Sequence, residues 1–251
     1  MNCLRSGYSS VAVALCCVAL AWLPSTAVAD RSVAVGPSFD HLVLAVPRLE
    51  AGAGLVAEVL GVPLSPGGEH PGLGSANYLL SFGGRRYLEV IGPQPGPGAM
   101  PPFARRLSAV SVPDLRTFAV AAGDLERIEA AAQTAGITTT GIAQGSRRTR
   151  DGRLLRWRRL YTYSDEFEGL VPFFIDWLDT PHPAASVTGD VQLARFYVTH
   201  PNAAALRRGY AALGVAVPVE ASNRPGIVVE LQTPSGEVVL LGSGEGLQWE
   251  E

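Results

Sequence analysis

The chain has 251 residues, 47% hydrophobic and 17% charged, and its 28 Gly and 19 Pro fall short of a low-complexity composition. A packed globular protein is therefore expected, and the net charge of −3, from 20 basic and 23 acidic residues, lacks the basic excess of a nucleic-acid binder. Every basic residue is Arg, and the absence of Lys excludes Schiff-base chemistry and a P-loop lysine.

Residues 1–29 read as a signal peptide. Arg5 supplies the positive start, Val11 to Leu23 is an apolar run of 13 residues, and Ala27-Val28-Ala29 is a small-x-small cleavage pattern, so the mature chain is expected to begin near Asp30. A helix of that length rises about 20 Å, against roughly 30 Å of bilayer hydrocarbon, so no stable membrane anchor is expected after cleavage. Cys3, Cys16 and Cys17 all lie in this segment, and the mature chain has no disulfide, thiolate nucleophile or cysteine metal site. A periplasmic or secreted protein is the resulting expectation.

From Phe39 onward one unit is written three times. Phe39 to Val46, Thr117 to Ala122 and Arg195 to Thr199 read as strands, each followed by an amphipathic helix and a glycine stop at Gly61, Gly136 and Gly214. The stops are 75 and 78 residues apart, the mark of a structural repeat. After the first stop the pattern turns to period two, Tyr78 to Phe82 and Arg86 to Ile91, around a Gly83-Gly84 hairpin turn, so each unit reads β-α-β-β-β. Gly92 to Pro102, rich in Gly and Pro, reads as a linker. The predicted class is α+β: βαβββ modules over 30–102 and 113–183 make one curved mixed sheet within residues 30–183, and 184–251 form a third related module.

Polar residues interrupt the apolar faces of these strands. His41 shares a face with Phe39, Val43 and Ala45, Glu89 with Tyr87 and Ile91, and Asp176 with Phe174 and Leu178. A carboxylate on a core face is costly unless it is paired, hydrogen-bonded or bound to metal. The three are therefore either satisfied structural groups or parts of one site. His182, between two prolines, and His200, before Pro201-Asn202, read as turn and cap residues. Seven Arg between Arg147 and Arg159 surround the Asp151-Gly152 turn, either as a solvated hairpin or as a wall that receives an anion. No nucleophile elbow, GxGxxG after a strand or P-loop occurs.

Phe39-Asp40-His41-Leu42-Val43, the run Gly67 to Leu80 with its Gly72-Leu73-Gly74-Ser75-Ala76-Asn77, Tyr87-Leu88-Glu89-Val90, Leu155-Arg156-Trp157-Arg158 and Phe173-Phe174-Ile175-Asp176-Trp177 together resemble the glyoxalase-like domain of the vicinal oxygen chelate superfamily. The resemblance spans nearly all of the mature chain. It implies paired modules curving into an open cup around a divalent metal (Zn, Ni, Fe or Mn), with ligands at His41, Glu89, Thr117 and Asp176. Thr117 departs from the family, which often has a second His there, and Asp176 is one methylene shorter than Glu. His70 is either a loop residue or a further ligand beside His41 and Glu89. Glu89 and Asp176 are the catalytic candidates, and His70, Asn77, Trp157 and Arg158 the substrate-binding ones. The aromatics Trp157, Tyr161, Tyr163, Phe173, Phe174 and Trp177 are pocket walls or core. The expected function is a metal-dependent isomerase, lyase or dioxygenase acting on a small oxygenated molecule; the alternative is a cup that binds or sequesters a small molecule without turnover. A homodimer would cover the edge left by the unpaired third module.

Overall fold

Period-two runs and glycine-stopped helices produce twelve strands and four helices among the described residues, which are 39–247 of the computed structural model except Pro71, Pro95, Pro97, Arg150, Asp151 and Thr188. The signal-peptide reading of residues 1–29 lies outside them. The first module runs β1 (Phe39–Ala45), α1 (Leu49–Leu60), β2 (Ser65–His70), β3 (Ser75–Ser81) and β4 (Tyr87–Pro93). A connecting helix, α2 (Pro102–Ser108), leads to β5 (Asp114–Ala121), α3 (Leu125–Thr134), β6 (Thr138–Arg148), β7 (Leu154–Tyr163) and β8 (Phe173–Asp176). The third stretch is β9 (Gln192–His200), α4 (Ala203–Leu213), β10 (Val219–Ala221), β11 (Gly226–Thr233) and β12 (Gly236–Gly242). Gly61, Gly136 and Gly214 follow α1, α3 and α4 with φ of 67°, 70° and 70°, the left-handed geometry that ends a helix. Asp124 and Asn202 cap the starts of α3 and α4 by accepting from Arg127 N and Ala205 N. The Gly-rich linker begins later than its composition suggests, because β4 runs on through Gly92 and Pro93 to pair with Ala76 and Ser75.

The first two modules close into an eight-stranded barrel, β1-β4-β3-β2-β6-β7-β8-β5, rather than the expected open cup. The two sides of the barrel are joined unequally. Strands β1 and β5 form a long antiparallel ladder from Phe39↔Val120 to Ala45↔Asp114, whereas β2 and β6 meet at one pair, Glu69↔Arg148.

Alternation along the strands sorts residues into two cores. Val43, Ile91, Ala119, Trp157, Phe173 and Ile175 fill the barrel interior. Leu42, Leu88, Phe118 and Phe174 face outward, where helices and the third module cover them. Phe196 of β9 lies with its ring centroid 4.9 Å from Phe39 and 5.0 Å from Phe118. The Tyr210 hydroxyl of α4 donates to the Leu170 carbonyl. The third module, a sheet of order β10-β9-β11-β12, is thereby packed into one compact unit with the barrel.

Candidate functional site

The barrel interior carries a polar cluster in the half built by the first module. His41 on β1 and Glu89 on β4 face inward on neighbouring parallel strands, and His70 closes the same space from the end of β2. Nε2 of His41 lies 3.7 Å from Oε2 of Glu89, and Nε2 of His70 lies 3.9 Å from Oε1. Asn77 Nδ2 donates to Oε1 of Glu89 at 2.5 Å, and its Oδ1 is buried without a partner among the described residues. Gly67 makes this placement fit, since a Cβ there would overlap Asn77 Oδ1.

Behind His41 sits Asp40, only 1% exposed. Its carboxylate accepts from His41 Nδ1 at 2.7 Å, Trp177 Nε1 at 3.1 Å and His182 Nε2 at 3.2 Å. Ala184 N donates to His182 Nδ1, which leaves Nε2 as the donor toward Asp40. Burial works to raise the Asp40 pKa, but the hydrogen bonds from His182 and His41, with the electrostatic pull of the two rings, outweigh it and hold the group at about 2. His41 is thus oriented with Nδ1 toward Asp40 and Nε2 toward Glu89. Tyr87 stacks on its ring at a centroid distance of 4.5 Å, and burial, with the Asp40 and Glu89 charges, raises the Tyr87 phenol well above its ordinary range.

His70 is pushed down to about 4, chiefly by burial, with Glu89 opposing and the Arg147 and Arg159 cations reinforcing the shift. Both guanidinium groups line the same cavity. Arg147 is buried and donates to the Gly67 carbonyl, and burial lowers its pKa. Arg159 stands over the Tyr161 ring at 5.3 Å, and its Nε has no hydrogen-bond partner among the described residues. Trp157, Tyr161, Phe173 and Trp177 wall the cavity, which encloses about 50 Å³.

Two expected site residues lie elsewhere. Trp157 faces the interior, so its neighbour Arg158 faces outward, where it donates to Asp176 at 3.1 Å and Glu126 at 2.7 Å. Asp176 shares that outer face, and its other oxygen accepts from Leu178 N. The interior positions of β8 belong to Phe173 and Ile175. Asp176 is therefore neither a ligand nor a catalytic group of the Glu89 cluster, and Arg158 does not bind substrate there. Thr117 points inward but lines a second, larger cavity. The divalent centre with ligands from both modules does not fit: the second module offers a hydroxyl and two hydrocarbon side chains, and among the described residues no three His, Cys, Asp or Glu groups are placed to hold a metal ion. His182 is a cap, as its flanking prolines suggest, and also a ligand of Asp40. His200 accepts from Asn202 N at the start of α4.

The family model for the glyoxalase-like domain matches residues 39–214. The chain belongs to this glyoxalase-like family. The family places it in the vicinal oxygen chelate superfamily. No curated protein sequence matches. Among solved structures, a hypothetical protein from Staphylococcus aureus aligns over 82% of this chain and 85% of its own, with TM-score 0.55 and 17% identity, a likeness of fold. Methylmalonyl-CoA epimerase from Mycobacterium tuberculosis covers 61% of this chain and 95% of its own, with TM-score 0.42 and 17% identity. A mutant of 4-hydroxymandelate synthase from Streptomyces coelicolor covers 82% and 63%, with TM-score 0.43 and 18% identity. In the barrel of this glyoxalase-like chain the first module supplies the histidines and the carboxylate that line the cavity, and the second supplies Arg147, Arg159 and an aromatic and aliphatic wall.

Proposed function

We propose that this glyoxalase-like protein is an enzyme that moves a proton on a small oxygenated anion, with Glu89 as the base. The observation that carries the reading is a buried carboxylate, fixed by Asn77, in a small cavity also lined by the buried Arg147 and by Arg159, which has no carboxylate partner among the described residues. A guanidinium without a carboxylate partner in such a space suits a substrate carboxylate or enolate oxygen. Glu89 takes a proton from a hydroxyl-bearing carbon beside a carbonyl, the electron pair moves onto the carbonyl oxygen, that oxygen takes the proton of the neighbouring hydroxyl, and Glu89 delivers its proton to the former carbonyl carbon, completing an isomerisation. Asp40 holds His41 with Nε2 facing the reacting end, and His70, held uncharged at neutral pH, presents Nε2 from the other side.

The test is deuterium wash-in from solvent, followed by NMR, across a panel of small 2-hydroxy acids, 2-oxo acids and hydroxy ketones. The chain starting at Asp30 is expected to exchange at least one of them with and without chelator, and Glu89→Gln to lower the rate by roughly 10²–10⁴-fold. Wash-in that is unchanged in Glu89→Gln, or that is abolished by chelator and restored by a divalent ion, overturns the reading. Saturable binding without any wash-in would favour the sequestering alternative.

We also propose that the enzyme is exported, on the strength of Arg5, the apolar run Val11 to Leu23 and Ala27-Val28-Ala29. N-terminal sequencing of the protein from a fractionated bacterial host is expected to begin at Asp30. Recovery of an uncleaved chain in the cytoplasmic fraction overturns this.

A further inference from the structure

The cavity around Glu89 is small, at about 50 Å³. A second cavity of about 790 Å³ lies in the half of the barrel built by the second module. Tyr161 and Phe173 line both, with ring centroids 5.2 Å apart and tilted, so this ring pair is the partition between them.

We infer that the substrate of the Glu89 site carries a bulky, uncharged, partly apolar group that occupies the second cavity, and that its compact oxygenated end reaches Glu89 between Tyr161 and Phe173. The inference rests on the proton-transfer reading for the identity of the reacting end alone. Another space that borders the Glu89 cavity is a groove of about 710 Å³ outside the β2–β6 seam, reached past Asn77 and Arg147. Entry there breaks the Asn77–Glu89 hydrogen bond and displaces a buried cation from the Gly67 carbonyl. Entry between the rings needs the Tyr161–Phe173 packing to part.

The chemistry of the second cavity selects the occupant. Val110, Val171, Phe173 and Leu247 give it apolar walls, and Thr117 and Thr162 add hydroxyl groups. Its cations are offset. Arg116 is ion-paired with Asp114 and Glu245, and Arg106 shares the space with the exposed carboxylates Asp165 and Glu168. A polyanionic carrier group would meet those carboxylates, whereas a neutral ring or chain would not.

The experiment compares two dyes of related ring system, neutral N-phenyl-1-naphthylamine and anionic 1-anilinonaphthalene-8-sulfonate, on the chain from Asp30. The neutral dye is expected to bind saturably and at least about tenfold more tightly than the sulfonate. Ala109→Trp with Thr140→Trp, both at exposed positions lining the second cavity, is expected to weaken it by about tenfold or more. In parallel, carbethoxylation of His41 and His70 by diethyl pyrocarbonate, read by mass spectrometry, is expected to slow when the neutral dye is bound and in the Ala109→Trp, Thr140→Trp variant. Leu154→Trp, at the outer groove, is expected to leave it unchanged. Absence of saturable dye binding, sulfonate binding as tight as the neutral amine, or histidine modification slowed by Leu154→Trp in place of the other variant overturns the inference. None of these readouts requires proton transfer, so they stand or fall separately from the effect of Glu89→Gln on wash-in.

Discussion

Asp40 gathers donors from three parts of the chain: His41 beside it, Trp177 just after β8, and His182 in the turn that follows. Asp40→Asn keeps the shape but turns an NH₂ toward a ring donor and removes the charge that the imidazoles face. Chemical denaturation is expected to show a loss of about 3–5 kcal/mol. NMR of the His41 ring nitrogens is expected to show a mixture of tautomers in place of one. Acid sensitivity follows from two groups with the same sign. The His70 pKa falls from 6.5 to about 4 on folding, so the unfolded chain takes the proton first. Stability present above pH 6.5 is lost as pH falls toward 4, on the order of 3 kcal/mol in all. Asp40, lowered from 3.8 to about 2, adds a further loss of about 2 kcal/mol as pH falls through that lower window. Urea unfolding at a series of pH values is expected to show both steps, and His70→Gln to remove the upper one.

At the scale of strands and helices, much was legible and its failures have a common cause. The three βαβββ units and their glycine stops follow from hydrophobic period and the left-handed geometry of Gly61, Gly136 and Gly214. His41 and Glu89 are found together because β1 and β4 are adjacent and parallel. Asp176 was misplaced because a slip of one residue turns a strand position to the opposite face, and in the second module the place of Glu89 falls to the apolar positions of β8. The same alternation divides the arginines of the β6–β7 hairpin, sending Arg147 and Arg159 inward and Arg158 outward, a choice that composition does not make. Asp40 escaped notice because the register of β1 against β5 shifts between Phe39 and His41, so simple alternation misreads its side. Two substitutions separate the faces. Arg158→Ala is expected to leave ligand affinity and wash-in unchanged, with a small loss of thermal stability, as an outer-surface pair should. Gly67→Ala is expected to cost about 1–3 kcal/mol by overpacking and to lower wash-in by dislodging Asn77 from Glu89, read by denaturation and exchange together.

For the whole molecule, the third module acts as a cover for the outside of the barrel. Phe196 is fully buried between Phe39 and Phe118, and Val239 on β12 is half-exposed. Phe196→Ala is expected to destabilise the entire chain by about 3–5 kcal/mol in a single cooperative transition, measured by calorimetry, and to leave ligand affinity of the remaining folded protein intact. A separate early transition would mean that the module melts alone.

The unequal joints of the barrel resemble a book, with β1 and β5 as its spine and Glu69↔Arg148 as a clasp on the fore-edge. A spine of many backbone hydrogen bonds fixes the order of the strands, while a clasp of one pair leaves the opening angle to a few side chains. Changes confined to residues near Glu69 and Arg148 can therefore widen or narrow the interior without disturbing the strands that carry His41 and Glu89. An architecture fastened in this way can adapt to guests of different girth by small edits far along the chain from its chemistry.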